Sequence, residues 1–283
     1  SEDCKYTTLK RSTLINFLLK NISEDNIFKS YELTSINYED KISLSFSNNH
    51  VEQFDYLIVS DGVFSKSKSF IFKKEAGPKY FNSVALRGNI NNIKNFDISV
   101  YLGSNFHFVI YPINQKNEFN FISIISKSIK KEQILDKNYF KNYEFLQSLI
   151  NEISLKTSFD IQNNIENVKS FPIFVSDKFK KPEKKNIFFV GDALYAFPPS
   201  FAQGASQSIE ASKEVYEEIE NNTNNYYEKR YEKIKSINSR STLNLFAFHL
   251  SNPLTVFARN IVLKYLTKNK KFLENYLGKI YNS

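Results

Sequence analysis

Two short apolar runs, far apart in the chain, constrain the fold more than any other feature. YLIVS, residues 56–60, is almost continuously apolar and leads into Asp61-Gly62. NIFFVGD, residues 186–192, repeats the pattern and ends in Gly191-Asp192. Runs of this length predict strands covered on both faces, as in a parallel sheet. The two are expected to belong to one α/β sheet, split by whatever lies between them. What lies between reads as antiparallel β from about residue 80 to 175. NSVALRGNI, DISVYLG, FHFVIYPIN and EFNFISIIS are aromatic or β-branched and separated by polar turns, with a helical insertion over roughly 130–155.

The flanks are mainly helical. KRSTLINFLLKNI, residues 10–22, places Leu14, Phe17, Leu18 and Ile22 on one helical face, with Arg11 near its start. ISLSF, residues 42–46, alternates as a half-buried strand does. Ala205, Ile209, Ser212, Val215, Tyr216 and Ile219 predict the inner face of a helix. The chain then reads as helices broken at Pro253.

The chain has seven glycines among 283 residues, and two fall in FFVGDALYAFPPSFAQGASQSIEAS, residues 188–212. Such a concentration calls for a chemical reason. Ligands of open α/β sheets bind beyond the carboxyl ends of the strands, where Asp192 sits. A carboxylate there accepts hydrogen bonds from ligand hydroxyls, such as those of a ribityl chain. Gly191 has no Cβ and lets a ligand approach the backbone closely. Pro198-Pro199 stiffens the loop and withholds two donors. Gln203, Gly204 and Ala205 open a helix whose free N–H groups and dipole favour an anion.

The ordered set resembles the second FAD motif of the FAD-dependent aromatic monooxygenases. That family includes salicylate hydroxylase and the ubiquinone-biosynthesis hydroxylases. Gly191, Asp192, Ala193, Pro199, Gln203, Gly204 and Glu210 match it. Tyr195 stands in place of the usual His, Ala202 in place of a Gly, and Ala211-Ser212 in place of Asp-Ala. FDYLIVSDGVFSKSK resembles the family's Asp-Gly motif through Asp55, Asp61, Gly62 and Ser65, with Lys68 for the usual Arg. KRSTLINFLL resembles the family helix that contacts FAD, which gives Arg11 that role. SVALRGNI and GSNFHFVIYPI look like substrate-domain strands, with Arg87, His107 and Tyr111 as substrate-side candidates beside Tyr195.

The resemblance implies an α/β fold with an α+β insert: an incomplete Rossmann-like FAD-binding domain interrupted by an antiparallel sheet. Residues 1–75 and 179–225 would form the FAD-binding domain, 76–178 the substrate domain, and 226–283 C-terminal helices. It also implies hydroxylation of a small aromatic substrate with FAD, NAD(P)H and O2, through a flavin hydroperoxide. The family's first motif, Gly-x-Gly-x-x-Gly, is missing. Gly62, Gly77, Gly88, Gly103, Gly191, Gly204 and Gly278 provide no such spacing. By the resemblance, Ser1 corresponds to a point about 100 residues into a family member, after a βαβ unit. Alternatives are another FAD-dependent oxidoreductase of the same fold, or a non-catalytic remnant that binds a partner.

Composition narrows the remaining classes. The formal charge of +8 comes with lysines scattered along the chain, which reads as a solvated surface without a nucleic-acid partner. No apolar run approaches the ~18 residues that span a bilayer. NIVLKYLTKNKKFLENYL is expected to be a helix packed on the domain with solvated lysines. Any membrane contact would be peripheral, at the inner face. The single Cys4 excludes an intramolecular disulfide and fits a reducing, cytoplasmic compartment. His50, His107 and His249 show no metal-ligand spacing.

Overall fold

The computed structural model describes residues 7–73, 77–93, 97–113, 118–136, 138–154 and 161–278; Cys4 lies outside them. The chain divides into two compact units. One comprises residues 1–28, 82–173 and 246–259, the other 29–81, 174–245 and 260–283. This division differs from the four sequence segments. The first 28 residues and a C-terminal stretch group with the antiparallel insert.

The first unit is built on a five-stranded sheet. Its strands are β5 (Lys79–Ile90), β6 (Ser99–Gly103), β7 (Phe106–Pro112), β8 (Phe119–Ser126) and β9 (Ile165–Val175), in the order β6-β7-β8-β5-β9. β6, β7, β8 and β5 pair antiparallel. Alternation sorts the side chains. Val84, Leu86, Phe106, Phe108, Phe121 and Ile125 point to one face and pack against Phe145, Leu149, Ile150 and Ile153. Those four residues line the buried side of α4 (Tyr143–Ser154), which follows the short α3 (Lys131–Leu135). The expected helical insertion is therefore present. α1 (Arg11–Leu19) also forms as predicted, but buries none of its residues. Phe17 is 63% exposed, and of the helix's apolar stripe only Leu14 is partly covered among the described residues.

The second unit holds an antiparallel meander, β1 (Leu33–Asn37), β2 (Ile42–Phe46) and β3 (Val51–Phe54). Beside it in sequence is the parallel pair of β4 (Leu57–Val59) and β10 (Ile187–Phe189). The two apolar runs thus meet in register, Leu57 opposite Ile187 and Val59 opposite Phe189. Ile187, Phe188 and Phe189 are all buried. Each such side chain stabilises the fold by roughly 1.5–3 kcal/mol.

β4 departs from expectation. Ile58 is 51% exposed, so this run is not covered on both faces. The reason lies in the neighbours. The outer edge of β10 is closed by two tyrosines of α7 (Tyr226–Phe248). Tyr226 donates to the Phe189 carbonyl at 2.7 Å, Tyr227 donates to the Ile187 carbonyl at 2.9 Å, and the Phe189 N–H donates to the Tyr227 hydroxyl at 3.0 Å. Among the described residues, β4 pairs with no strand besides β10.

α6 (Gly204–Glu220) also departs from expectation. Its buried residues are Gln207, Ala211, Val215 and Glu218. Ala205, Ile209, Ser212 and Tyr216 face outward instead. Polar partners on α7 override the apolar pattern. α8 (Pro253–Leu266) and α9 (Lys270–Leu273) complete the helices, and Pro253 opens α8 where a proline is best tolerated.

Candidate active site

The carboxyl ends of β4 and β10 lie side by side, because the Val190 N–H donates to the Val59 carbonyl at 3.0 Å. Each strand end is followed by a glycine in the left-handed region, Gly62 at φ 84° and Gly191 at φ 56°. The chain turns sharply there. At Gly191 a Cβ would stand 2.7 Å from the Ser208 hydroxyl oxygen, which would have to shift, and the left-handed backbone strains any larger residue there.

After Gly62 the chain enters α2 (Lys66–Phe72). The Asp61 carboxylate accepts from the Ser67 N–H at 3.1 Å, and the Ser65 hydroxyl accepts from the Lys68 N–H at 3.1 Å. Asp61 thus holds the start of α2. Lys68, the residue in place of the usual Arg, donates to the Leu194 carbonyl at 3.3 Å. That bond ties the Asp-Gly segment to the loop after Asp192.

The loop begins with the short α5 (Gly191–Leu194). Ala193 and Leu194 are buried beneath it. Asp192 lies on the surface, and the surrounding loop raises its carboxyl pKa by partial desolvation. Burial, then the nearby charge of Asp177, raises the Tyr195 phenol, whose ring lies 5.2 Å from that of Phe197. Pro199–Phe201 form a single 3-10 turn, closed by Ala202 in the left-handed region at φ 52°. Gln203 then precedes α6 without a side-chain cap. The N–H groups of Gly204, Ala205 and Ser206 precede the first internal acceptor pair, in which the Gln207 N–H reaches the Gln203 carbonyl.

Gly191, Asp192, Tyr195 and Gly204 line a small, partly open cleft. Its floor is a charged cluster. Arg230 of α7 is 2% exposed. It donates to Gln207 at 3.1 Å, to Glu210 at 2.9 Å and to Glu214 at 2.6 Å. Lys233 also pairs with Glu210. Two cations thus meet two carboxylates, which clamp α6 to α7 directly under the cleft. Burial raises the Glu214 carboxyl against the opposing pull of Arg230. Glu210 was legible as a motif position; Arg230, Lys233 and Gln207 were not. One signal was available. The chain has only five arginines among 38 basic residues, so an Arg inside KRYEK stands out.

The remaining candidates lie in the first unit. Arg87, His107 and Tyr111 share the sheet face opposite the core. Register places Arg87 and Val109 opposite Ile122, Asn89 and Tyr111 opposite Asn120, and His107 opposite Ile124. The Arg87 guanidinium lies 4.6 Å from the Phe171 ring centre. His107 is buried against His249, with its Nδ1 2.9 Å from the His249 Nε2, and Ser126 Oγ lies 2.9 Å from the other nitrogen of His249. Burial lowers His107 to about 3 and His249 to about 4, so both rings are neutral at pH 7. Two histidines that looked unrelated in sequence therefore form one buried pair. Arg11 opens α1, also in the first unit. Among the described residues no group of three His, Cys, Asp or Glu side chains is arranged to hold a metal.

Comparison with known proteins agrees with this architecture. No family model and no curated protein matches the chain. Solved structures do match it. Klebsiella pneumoniae HpxO complexed with FAD and uric acid superposes with a TM-score of 0.77 at 14% identity, covering 96% of this chain and 72% of HpxO. A salicylate hydroxylase substrate complex gives 0.72 at 14% identity, over 91% and 71% of the two chains. The tetracycline destructase Tet(55) gives 0.66 at 17% identity, over 94% and 72%. The chain shares the fold of these solved structures.

Proposed function

We propose that the chain is the larger part of an FAD-dependent monooxygenase that hydroxylates a small aromatic compound with NAD(P)H and O2. The observation that carries this reading is the adjacent placement of Asp61-Gly62 and Gly191-Asp192 at the ends of two parallel strands, with Gly191 and Asp192 lining a cleft. The donor set suits the flavin half of FAD. Asp192 offers an acceptor to ribityl hydroxyls. Gly191 lets the strand end turn close against Ser208 of α6. The uncapped start of α6, at Gly204 and Ala205, offers N–H groups to a negatively charged pyrimidine edge. Pro199 and Gln203 shape the loop between them. Asp61 and Gly62 fix the neighbouring strand end, and Arg11 remains a proposed FAD contact on α1.

The hydride acceptance and oxygen activation of such a site belong to bound FAD. The chain's own residues bind, orient and exclude water. On the other unit, Arg87 presents a cation over the Phe171 ring, and Asn89, Asn120 and Tyr111 form a polar row beside it. That face suits a planar ring with an acidic or hydroxyl substituent. HpxO with uric acid is a fold neighbour whose ligand is of that kind.

The adenine-diphosphate half has no glycine-rich cradle here. The pairing edge of β4 and the outward Ile58, Ile209 and Tyr216 support a further strand–helix unit that carries it. HpxO and salicylate hydroxylase extend beyond the part that this chain covers. A cytoplasmic location is part of the same reading. Flavin-dependent NAD(P)H oxidation by the completed enzyme, stimulated by phenolic compounds and yielding a hydroxylated product, is the expected result. Oxidation without product would favour another flavin oxidoreductase, and no flavin-dependent turnover would favour a non-catalytic partner-binding role.

A further inference from the structure

We propose that α8 is a docking element that seats this protein on an anionic lipid surface. Two independent observations meet on it. The first is exposure. None of its 14 residues is buried. Leu254, Phe257, Ile261 and Tyr265 recur at helical spacing and are 80%, 67%, 42% and 70% exposed, with Val262 beside them. At about 100° per residue these five side chains occupy roughly 140° of the helix circumference. The opposite face, Val256, Leu263 and Leu266, is only half-exposed, and Arg259 donates to the Ala247 carbonyl at 3.2 Å. The helix is therefore held by one side and presents an apolar stripe on the other. An expected packed helix with its lysines in solvent would bury that stripe.

The second observation is charge. Between residues 233 and 273 the chain has eight Lys or Arg and no Asp or Glu. This segment carries +8, the formal charge of the whole chain, so the rest is balanced. The lysines are numerous throughout, but their excess is local. Lys233 is spent on Glu210, and Arg240 lies over the Tyr276 ring. Lys264, Lys268, Lys270 and Lys271 are exposed, on the last turns of α8 and just beyond it.

An apolar stripe bordered by lysines matches the boundary between acyl chains and anionic headgroups. A second copy of the chain fits less well, because it would bring the same positive segment against itself. Nucleic acid would use the lysines and leave the stripe wet. Among the described residues no helix is long and apolar enough to cross a membrane, so the contact is one of lying on the surface.

The test is co-sedimentation of the full 283-residue chain with vesicles. Mixed phosphatidylcholine–phosphatidylglycerol vesicles should bind it, and pure phosphatidylcholine vesicles should not. Binding should fall at about 1 M salt, where the screening length is about 3 Å. Lys264→Glu with Lys268→Glu should weaken binding at least tenfold, since each lysine near an anionic surface is worth about fivefold. Leu254→Ser with Phe257→Ser should abolish it, with far-UV circular dichroism unchanged. Equal binding to both vesicle types, no binding to either, or variants that bind as wild type would overturn the proposal. So would a dimer in sedimentation velocity that the Leu254→Ser/Phe257→Ser variant dissociates, because the stripe would then be a self-interface.

Discussion

Replacing Arg230 by Met removes the guanidinium that joins α6 to α7 and leaves the aliphatic stem. In the native chain Arg230 is 2% exposed and meets Glu210, Glu214 and Gln207 at 2.6–3.1 Å. Glu210 keeps Lys233 after the substitution. Glu214, with its Oε2 2.5 Å from the Arg230 Nε, loses the cation that faces it. Breaking a buried pair from one side typically costs 3–5 kcal/mol. The Glu214 side chain is 20% exposed, which favours the lower end, about 3 kcal/mol. The double variant Arg230→Met/Glu214→Met removes the orphaned charge as well and should return to within ~1 kcal/mol of wild type. Urea unfolding followed by circular dichroism measures both. The pH dependence has a definite sign. Burial raises the Glu214 carboxyl, so its favourable contribution is present at low pH and is lost as pH rises through the raised value. Without Arg230 to oppose burial, the deficit should be largest at neutral pH and shrink toward pH ~4.3. A single-variant loss below ~1 kcal/mol, or a double variant no better than the single, would refute the reasoning.

Other predictions follow from the same geometry. The His107–His249 pair is neutral when folded, at about 3 and about 4. Lowered values stabilise the fold above the unfolded pKa of about 6.5 and lose that stabilisation as pH falls through the folded values. Thermal unfolding should therefore weaken steeply between pH ~6.5 and ~4, and His249→Gln should flatten the slope. Ala202 holds the left-handed conformation at φ 52° and ψ 33°, a strained state for a residue with a Cβ. Ala202→Gly should raise stability by about 0.5–1 kcal/mol in the same urea assay, and an equal or lower value would contradict that strain.

The parallel pair was legible because Ile187, Phe188 and Phe189 carry no polar atom to mislead the pattern. The antiparallel insert was legible for a similar reason, since alternation in β5, β7 and β8 survives in the sequence. α6 was misread on one face. The reading placed Ile209 and Tyr216 inside because they are apolar. Burial there is instead decided by Arg230, which draws Gln207 inward and holds Glu210 and Glu214, and those contacts arrive from residues further along the chain. β4 was misread because a continuous apolar run says nothing about which neighbours cover it. The histidine pair was invisible, since nothing local marks two rings separated by 142 positions as partners. The local concentration of charge on residues 233–273 was present in the sequence, and the total of +8 concealed it.

The central claim is that the cleft around Gly191, Asp192 and Gly204 takes the flavin half of FAD. The direct measurement is a titration of the 283-residue chain with riboflavin and with FAD, read by flavin fluorescence, in wild type and Asp192→Ala. The account predicts weak binding of both, with affinities within about tenfold of each other, because the diphosphate half lacks its cradle; Asp192→Ala should weaken both alike. FAD binding more than about a hundredfold tighter than riboflavin, or binding indifferent to Asp192, would contradict it.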